Sequence, residues 1–346
     1  MKSSAQHILV LGMGGTIAGL ARDPRHPGMY EAGRVSIESL LAGIQIDPAL
    51  EGFEIQSQQI ASIDSRDLSE DLLTQLGMAV KEALHDSAVL GVVVTHGTDT
   101  IEETGIFLDA VCSKAAQNQG KRVVLTGAML PSNAIGADGP LNLQAALHWV
   151  GNDISNCPPG IFAIFAGRVC LARDLAKRHT TELNAPLRDS LSSPVHLINP
   201  SWLSTVRAIQ AASSADLPIP PEKEWPWVEI VMSHAGARPE TIERLASQGI
   251  QGLVIAGTGM GGVHSVWQAP LQSLESDGVA IVRASRTGAG NVSPDRLNGV
   301  SAGDLTPPKA RIALQLALYA AAHPAESAKS LGWQDFFARI VVLLEH

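Results

Sequence analysis

Over roughly the first half of the chain, short apolar bursts alternate with stretches whose apolar positions fall at helical spacing. Residues 8–11, 91–94, 122–126 and 161–165 are rich in Val, Ile and Leu and read as strands, and residues 53–60 alternate in the same sense. The 91–94 run is apolar on both faces and is expected at the centre of a sheet. Residues 35–44, 68–84, 101–108 and 141–147 show helical periodicity. This β-α order with short loops predicts a mainly parallel sheet flanked by helices and joined by right-handed crossovers. One polar, proline-bearing stretch up to Gly33 has no period, and a mobile loop or loose hairpin is expected there.

The pattern changes at residues 213–226, a polar segment with four prolines that reads as a stiff linker. Beyond it, strands are expected at 228–231, 253–256 and 279–282, with helices at 239–248, 263–275, 310–322 and 333–344. The domain reading is therefore an N-terminal catalytic α/β domain over residues 1–212, the linker 213–226, and a smaller C-terminal α/β domain over 227–346. A chain of 346 residues is long enough for two cores.

Composition narrows the functional classes. The balance of 25 Lys plus Arg against 34 Asp plus Glu gives a net charge of −9 with no basic run, so nucleic acid is an unsuitable partner. Cys112, Cys157 and Cys170 are odd in number and lack metal-ligand spacing, which fits a reducing compartment. The apolar run at 8–21 is broken by Gly12, Gly14, Gly15 and Gly19 and reads as a first strand rather than a secretory signal. No later run is long enough for a membrane helix, and a cytoplasmic protein with no membrane partner is expected.

Two loops carry candidate chemistry. Gly14-Gly15-Thr16 places a hydroxyl at the carboxyl end of the first strand, behind glycines that let a ligand approach the backbone. Thr95-His96-Gly97-Thr98-Asp99-Thr100 does the same after the central strand, where open α/β sheets bind their ligands. A threonine hydroxyl is a weak nucleophile until a neighbour activates it. Asp99, Tyr30 and Lys177 are the candidate activators within the sequence, Lys177 the weakest of them from composition alone. The scattered histidines His7, His96 and His264 have no second ligand at metal spacing and are read as structural, so no metal is expected.

Gly14-Gly15-Thr16-Ile17-Ala18-Gly19 and Thr95-His96-Gly97-Thr98-Asp99-Thr100-Ile101-Glu102-Glu103-Thr104 together make the chain resemble the bacterial-type asparaginases. Gly127-Ala128-Met129, Asp138-Gly139-Pro140-Leu141-Asn142-Leu143, Arg173-Asp174 before Lys177, and Pro308-Lys309-Ala310-Arg311 agree with the same family. The resemblance implies an amidohydrolase that converts L-asparagine to L-aspartate and ammonia by double displacement, with Thr16 as nucleophile and Tyr30 closing over it. It implies Thr98, Asp99 and Lys177 as the proton-handling set. Substrate would be held by Gly15, Ser62, Gly97, Thr98, Asp99 and Ala128, with Ser62 on the α-carboxylate, Asp99 on the α-ammonium and Ala128 at the amide. It also implies no cofactor, a small-molecule substrate (L-asparagine, possibly L-glutamine), and a homodimer or homotetramer.

Three departures bear on substrate choice. Leu130 stands where the family usually has arginine; Asp295 and Asp304 are the only acids between Val279 and Pro308, outside the family's usual context; and the loop from Gly257 to Gly262 lacks asparagine. A glutaminase-asparaginase of broader specificity is one alternative, and an amino-acid sensor that binds without turnover is another. The Gly257, Gly259, Gly262 spacing also spells a dinucleotide-binding turn, although the acidic residue expected about twenty positions later is missing.

Overall fold

The computed structural model describes residues 6–44, 53–151, 158–184, 193–194, 216–294 and 299–341. By its internal contacts the chain divides into two compact units, residues 1–212 and 213–346. In chain order the strands of the first unit are β1 (His7–Gly14), β2 (Leu20–Ala21), β3 (Tyr30–Glu31), β4 (Glu54–Ile63), β5 (Val89–Thr95), β6 (Arg122–Thr126), β7 (Gly160–Phe165), β8 (Arg168–Leu171) and β9 (Ser193–Pro194). Its helices are α1 (Ile37–Ala42), α2 (Glu70–His85), α3 (Ile101–Asn118) and α4 (Gly139–Gly151).

Seven strands form one sheet in the order β4-β1-β5-β6-β7-β8-β9, parallel from β4 to β7. β5 lies in the interior and is buried at six of its seven positions, as its unbroken apolar pattern requires. β4 is an edge strand, and its alternating partly covered and exposed residues reflect that position. Ile8, Val10, Val93, Val124, Phe162 and Ile164 pack beneath Leu143, Leu147 and Trp149 of α4. Trp149 and Phe162 meet edge to face with ring centroids 5.4 Å apart, and truncating such a buried aromatic to Ala costs about 3–5 kcal/mol.

Local signals fix the helix ends. Ser69 caps α2 by accepting from Leu72 N–H, with Glu70 and Asp71 in the first turn where the dipole favours acids. At the other end of α2, buried Lys121 donates its ammonium to the Ala83 and Asp86 carbonyls. Desolvation lowers the Lys121 pKa. The helix expected at 35–44 is shorter, six residues, because Ser36 caps it and Gly43 ends it.

The mainly parallel expectation holds, with an antiparallel edge that the sequence reading did not separate. β8 pairs antiparallel with β7, and β9 with β8. Between β7 and β8 stand Ala166 and Gly167 at φ 47° and 68°. Two consecutive positive φ values make the turn whose twist suits a two-residue hairpin. The aperiodic stretch before Gly33 holds the small antiparallel pair β2–β3.

The second unit has a parallel sheet in the order β10-β11-β12-β13, formed by Val228–Met232, Gly252–Gly257, Ala280–Ser285 and Val300–Ser301. Its helices are α5 (Glu240–Ala246), α6 (Gln268–Ser276), α7 (Pro307–Ala322) and α8 (Trp333–Ile340). Ile242, Leu253, Ile255, Trp267, Leu271 and Ile281 form its core. The helix expected at 263–275 is a 3₁₀ turn, Ser265–Trp267, followed by α6. α8 stops at Ile340 because Val341 is extended, and the rest of the expected 333–344 helix lies outside the described residues. The 213–226 segment groups with the second unit; within its described part Leu217 is buried and the Pro226 carbonyl accepts from Gln315.

Candidate active site

The parallel arrangement brings the ends of β4, β1, β5 and β6 to one edge of the sheet, and the loops leaving them hold most of the candidate residues. β1 and β5 are neighbours, with Gly12 paired to Thr95. Their following loops therefore touch. Gly15, at φ 77°, lies so close to the second loop that a Cβ there would stand 2.3 Å from Gly97 N and Cα. Only a residue without a side chain, free to take a left-handed conformation, fits that contact. Gly15 N–H donates to Ile63 O at 2.7 Å, which ties the same loop to the end of β4.

Thr16 opens a 3₁₀ turn, Thr16–Ala18, and is largely buried. Its Oγ1 lies 2.7 Å from the Tyr30 hydroxyl, which reaches it from β3. The second loop supplies another hydroxyl: Lys177 Nζ donates to Thr98 Oγ1 at 2.9 Å and to Asp99 Oδ1 at 2.5 Å. Lys177 follows the 3₁₀ turn Ala172–Asp174, whose residues are buried with Leu175 and Ala176. That turn reaches α3 because Gly105 makes room, since a Cβ there would stand 2.5 Å from the Ala172 carbonyl oxygen.

The amides of the second loop divide into engaged and open donors. His96 N–H bonds Thr126 O at 2.8 Å and Asp99 N–H bonds Ser65 Oγ at 3.2 Å. Among the described residues, Gly97 and Thr98 N–H have no such partner and remain open donors. His96 holds the loop from below. Its Nδ1 donates to the Gly97 carbonyl at 2.7 Å, which fixes the tautomer, and its Nε2 then accepts from the Thr104 hydroxyl at 3.0 Å. Complete burial pushes the His96 pKa down to about 4.

Ala128 is fully buried beside Ile17 and Ala18. Asp138 fixes the segment after it by accepting from Met129 N–H and Leu130 N–H at 3.0 and 2.9 Å. Asn142 in turn donates to Asp138 and to the Gly127 carbonyl. Ser62 is exposed at the end of β4, one residue before the Ile63 that pairs with Gly14.

All nine candidate residues thus belong to one sheet edge and the segments packed on it. Two groups are linked directly, Thr16 to Tyr30 and Lys177 to both Thr98 and Asp99, and the two groups abut through the Gly15–Gly97 contact. The sequence reading overlooked Ser65, which is buried and bonds both Asp99 N–H through its hydroxyl and Thr100 Oγ1 through its carbonyl. Its signal was available in Asp64-Ser65-Arg66-Asp67, a turn sequence just after Ser62 at the same strand end. Among the described residues no cluster of three or more His, Cys, Asp or Glu side chains could hold a metal ion.

The Gly257–Gly262 loop is built differently. Thr258 and Gly262 exchange both backbone hydrogen bonds, at 2.8 and 2.7 Å. The next helical turn begins only at Ser265. A dinucleotide turn leads straight into its helix, whereas this loop pairs its two ends, Thr258 with Gly262, ahead of the helical turn.

Comparison with known proteins agrees with this geometry. Residues 7–195 match the family model described as "Asparaginase, N-terminal", and residues 227–331 match "Glutaminase/Asparaginase C-terminal domain". A probable periplasmic L-asparaginase of Haemophilus influenzae is 33% identical over 90% of this chain and 88% of its own length. A glutaminase-asparaginase of Pseudomonas fluorescens biotype A is 31% identical over 92% of this chain and 87% of its own length. The crystal structure of a probable cytoplasmic L-asparaginase from Campylobacter jejuni, 30% identical, superposes with a TM-score of 0.77 over 96% of this chain and 99% of that one. With both family models matched in order and relatives of 30% identity or more over nine-tenths of its length, the chain belongs to the bacterial-type asparaginase family of amidohydrolases.

Proposed function

We propose that the protein hydrolyses the side-chain amide of L-asparagine to L-aspartate and ammonia through an ester on Thr16. The carrying observation is the pair of hydroxyls held in opposite ways, Thr16 by a phenol at 2.7 Å and Thr98 by an ammonium at 2.9 Å. Because Lys177 donates to Thr98 Oγ1, the Thr98 proton is left to point elsewhere. It is available to the departing amide nitrogen.

In the first step Thr16 Oγ1 attacks the carboxamide carbon, and its proton is relayed through Tyr30 Oη, which takes it while releasing its own phenolic proton to solvent. The open Gly97 and Thr98 amides stabilise developing negative charge on the carbonyl oxygen, as preorganised donors do in a site shielded from water. The C–N bond breaks as Thr98 supplies a proton, and ammonia leaves. In the second step water attacks the ester carbon and gives one proton to Thr98 Oγ1, restoring that hydroxyl. Thr16 Oγ1 leaves and regains a proton through Tyr30, and L-aspartate departs as the carboxylate with its remaining proton released to solvent. Ser62 and Asp99 are read as the groups that hold the α-carboxylate and α-ammonium. No cofactor enters the scheme.

Glutamine differs from asparagine by one methylene, a difference worth only about 1–3 kcal/mol in a pocket. A broader glutaminase-asparaginase is therefore the second reading, and the Pseudomonas relative's name favours keeping it. Ammonia release from asparagine and glutamine, measured side by side, ranks them. A Thr16→Ala variant that folds but releases ammonia at near-normal rate would overturn the ester. Tight asparagine binding with no product from the wild-type protein would instead favour the sensor.

The reading extends to a catalytic domain at 1–212, a joining segment at 213–226, and a homodimer or homotetramer, which light scattering measures. It also places the protein in the cytoplasm. The Campylobacter neighbour's description supports that placement and the Haemophilus relative's does not, so cell fractionation decides it. Among the described residues no helix is long and apolar enough to cross a membrane.

A further inference from the structure

The β2–β3 pair that presents Tyr30 is only two residues long on each strand, too little to hold itself in place. Within it, Ala21 stands opposite Tyr30. Ala21 directs its backbone N–H and C=O away from β3, toward the loop after β6. There the Asn133 side chain takes both: Ala21 N–H donates to Asn133 Oδ1 at 2.8 Å, and Asn133 Nδ2 donates to Ala21 O at 2.8 Å. One residue earlier, Ser132 N–H and Ser132 Oγ both donate to Gly19 O, at 2.9 and 2.7 Å. The side chain of Asn133 thus does for β2 what a third strand would do.

We propose that Asn133 is a positioning residue for the reaction, setting Tyr30 against Thr16 by gripping the backbone of Ala21. The inference rests on the reading that Tyr30 serves Thr16 in amide hydrolysis. Four observations converge on it. Ala21 is buried, so its polar groups have little water to replace a lost partner. Gly19, which Ser132 holds, admits the Tyr30 ring so closely that a Cβ there would stand 2.8 Å from it. Ile135 N–H bonds Pro24 O at 3.1 Å, extending the grip along the hairpin. Finally, Asp138 pins the stem of the same loop through Met129 and Leu130. The loop that carries Ala128, the proposed contact of the substrate amide, therefore also carries the mount of Tyr30. One rigid segment registers the amide and the phenol together.

The test is a double-mutant cycle on kcat and KM with Asn133→Leu, which keeps the shape but loses both hydrogen bonds, and Tyr30→Phe. A displacement of about 1 Å in a reacting group can cost on the order of 100-fold. Asn133→Leu is expected to lower kcat about 10- to 100-fold with KM changed less than about threefold. The double variant should be no slower than Tyr30→Phe alone, because the tyrosine is the only route by which Asn133 acts. Losses that multiply, or wild-type kcat in Asn133→Leu, would overturn the proposal. Asn133→Asp retains the acceptor for Ala21 N–H and should fall between wild type and Asn133→Leu; it also serves if Asn133→Leu does not fold.

A second measurement does not depend on turnover. The chain has two tyrosines, so 3-fluorotyrosine in a Tyr319→Phe background gives a single ¹⁹F resonance from Tyr30. That resonance should move in Asn133→Leu, and an unmoved one counts against the proposal. If Tyr30→Phe keeps full activity, the assigned role of Tyr30 fails, while the ¹⁹F shift still reports whether Asn133 sets the ring.

Discussion

The loops after β1 and after β11 look alike in sequence, each a glycine-rich turn leaving a strand of a parallel sheet. Their hydrogen bonds set them apart. Gly14-Gly15-Thr16 spends its amide on the neighbouring strand end, Gly15 N–H to Ile63 O, and presses against the β5 loop, where the Gly97 and Thr98 amides stay open. Gly257–Gly262 closes on itself, with Thr258 and Gly262 satisfying each other. Ser285 Oγ then donates to Gly259 O at 2.6 Å and completes the closure. Glycine alone therefore does not make a site. What distinguishes Gly14-Gly15-Thr16 is that it meets a second loop beside held hydroxyls, whereas Gly257–Gly262 pairs with itself.

The largest expected effect divides the two loops by their threonines. Thr16→Ala should reduce ammonia release by about 10³-fold or more, since a proposed nucleophile is lost. Thr258→Ala should leave the rate within about twofold; an equal loss in both would dissolve the contrast. Lys177→Met should cost about 10²- to 10⁴-fold, the range of a positioned acid or base, mainly in kcat. A change confined to KM would return Lys177 to a binding role.

Glycine replacements sharpen the same comparison through stability. In Gly15→Ala the new methyl collides with Gly97 backbone, and denaturant unfolding should show a loss of about 3 kcal/mol or more together with lost activity. Gly259→Ala has φ 50° but nothing within 4 Å of its Cβ, so a loss of about 1–2 kcal/mol with normal turnover is expected.

A pH-dependent effect concerns His96, buried beneath the loop after β5. Its folded pKa of about 4 lies below the ordinary value of 6.5, so the unfolded chain binds the extra proton between those pH values. The stability it secures is complete above pH 6.5 and declines as pH falls toward 4. A contribution of about 3 kcal/mol is expected across that window. His96→Gln should flatten this part of the stability profile in urea titrations at several pH values, and an unchanged slope would assign the acid sensitivity to other groups.

How much of this was legible in the chain differs from residue to residue. The β5 run and the amphipathic α2 follow from local pattern, because burial on both faces or on one stripe leaves a direct mark on residue choice. Thr16 and Thr98 stand in long, ordered motifs, which is why the sequence alone singles them out. Ser65 and Asn133 were not, since each acts by one side chain on a backbone group elsewhere: 34 positions away for Ser65 and 112 for Asn133. No local pattern records such a partner. The β8 strand was missed because its signal is Ala166-Gly167, and alanine seldom marks a turn with two positive φ values.

The sequence by itself determined the alternation of elements, the two-unit division and the family, because hydrophobic spacing and motif order are properties of the chain. Tertiary structure alone decided which glycine loop meets a second loop, which hydroxyl an ammonium holds, and what fastens Tyr30. Those outcomes depend on how hydrogen-bond donors are shared between segments remote in sequence, and that sharing exists only once the strands lie side by side.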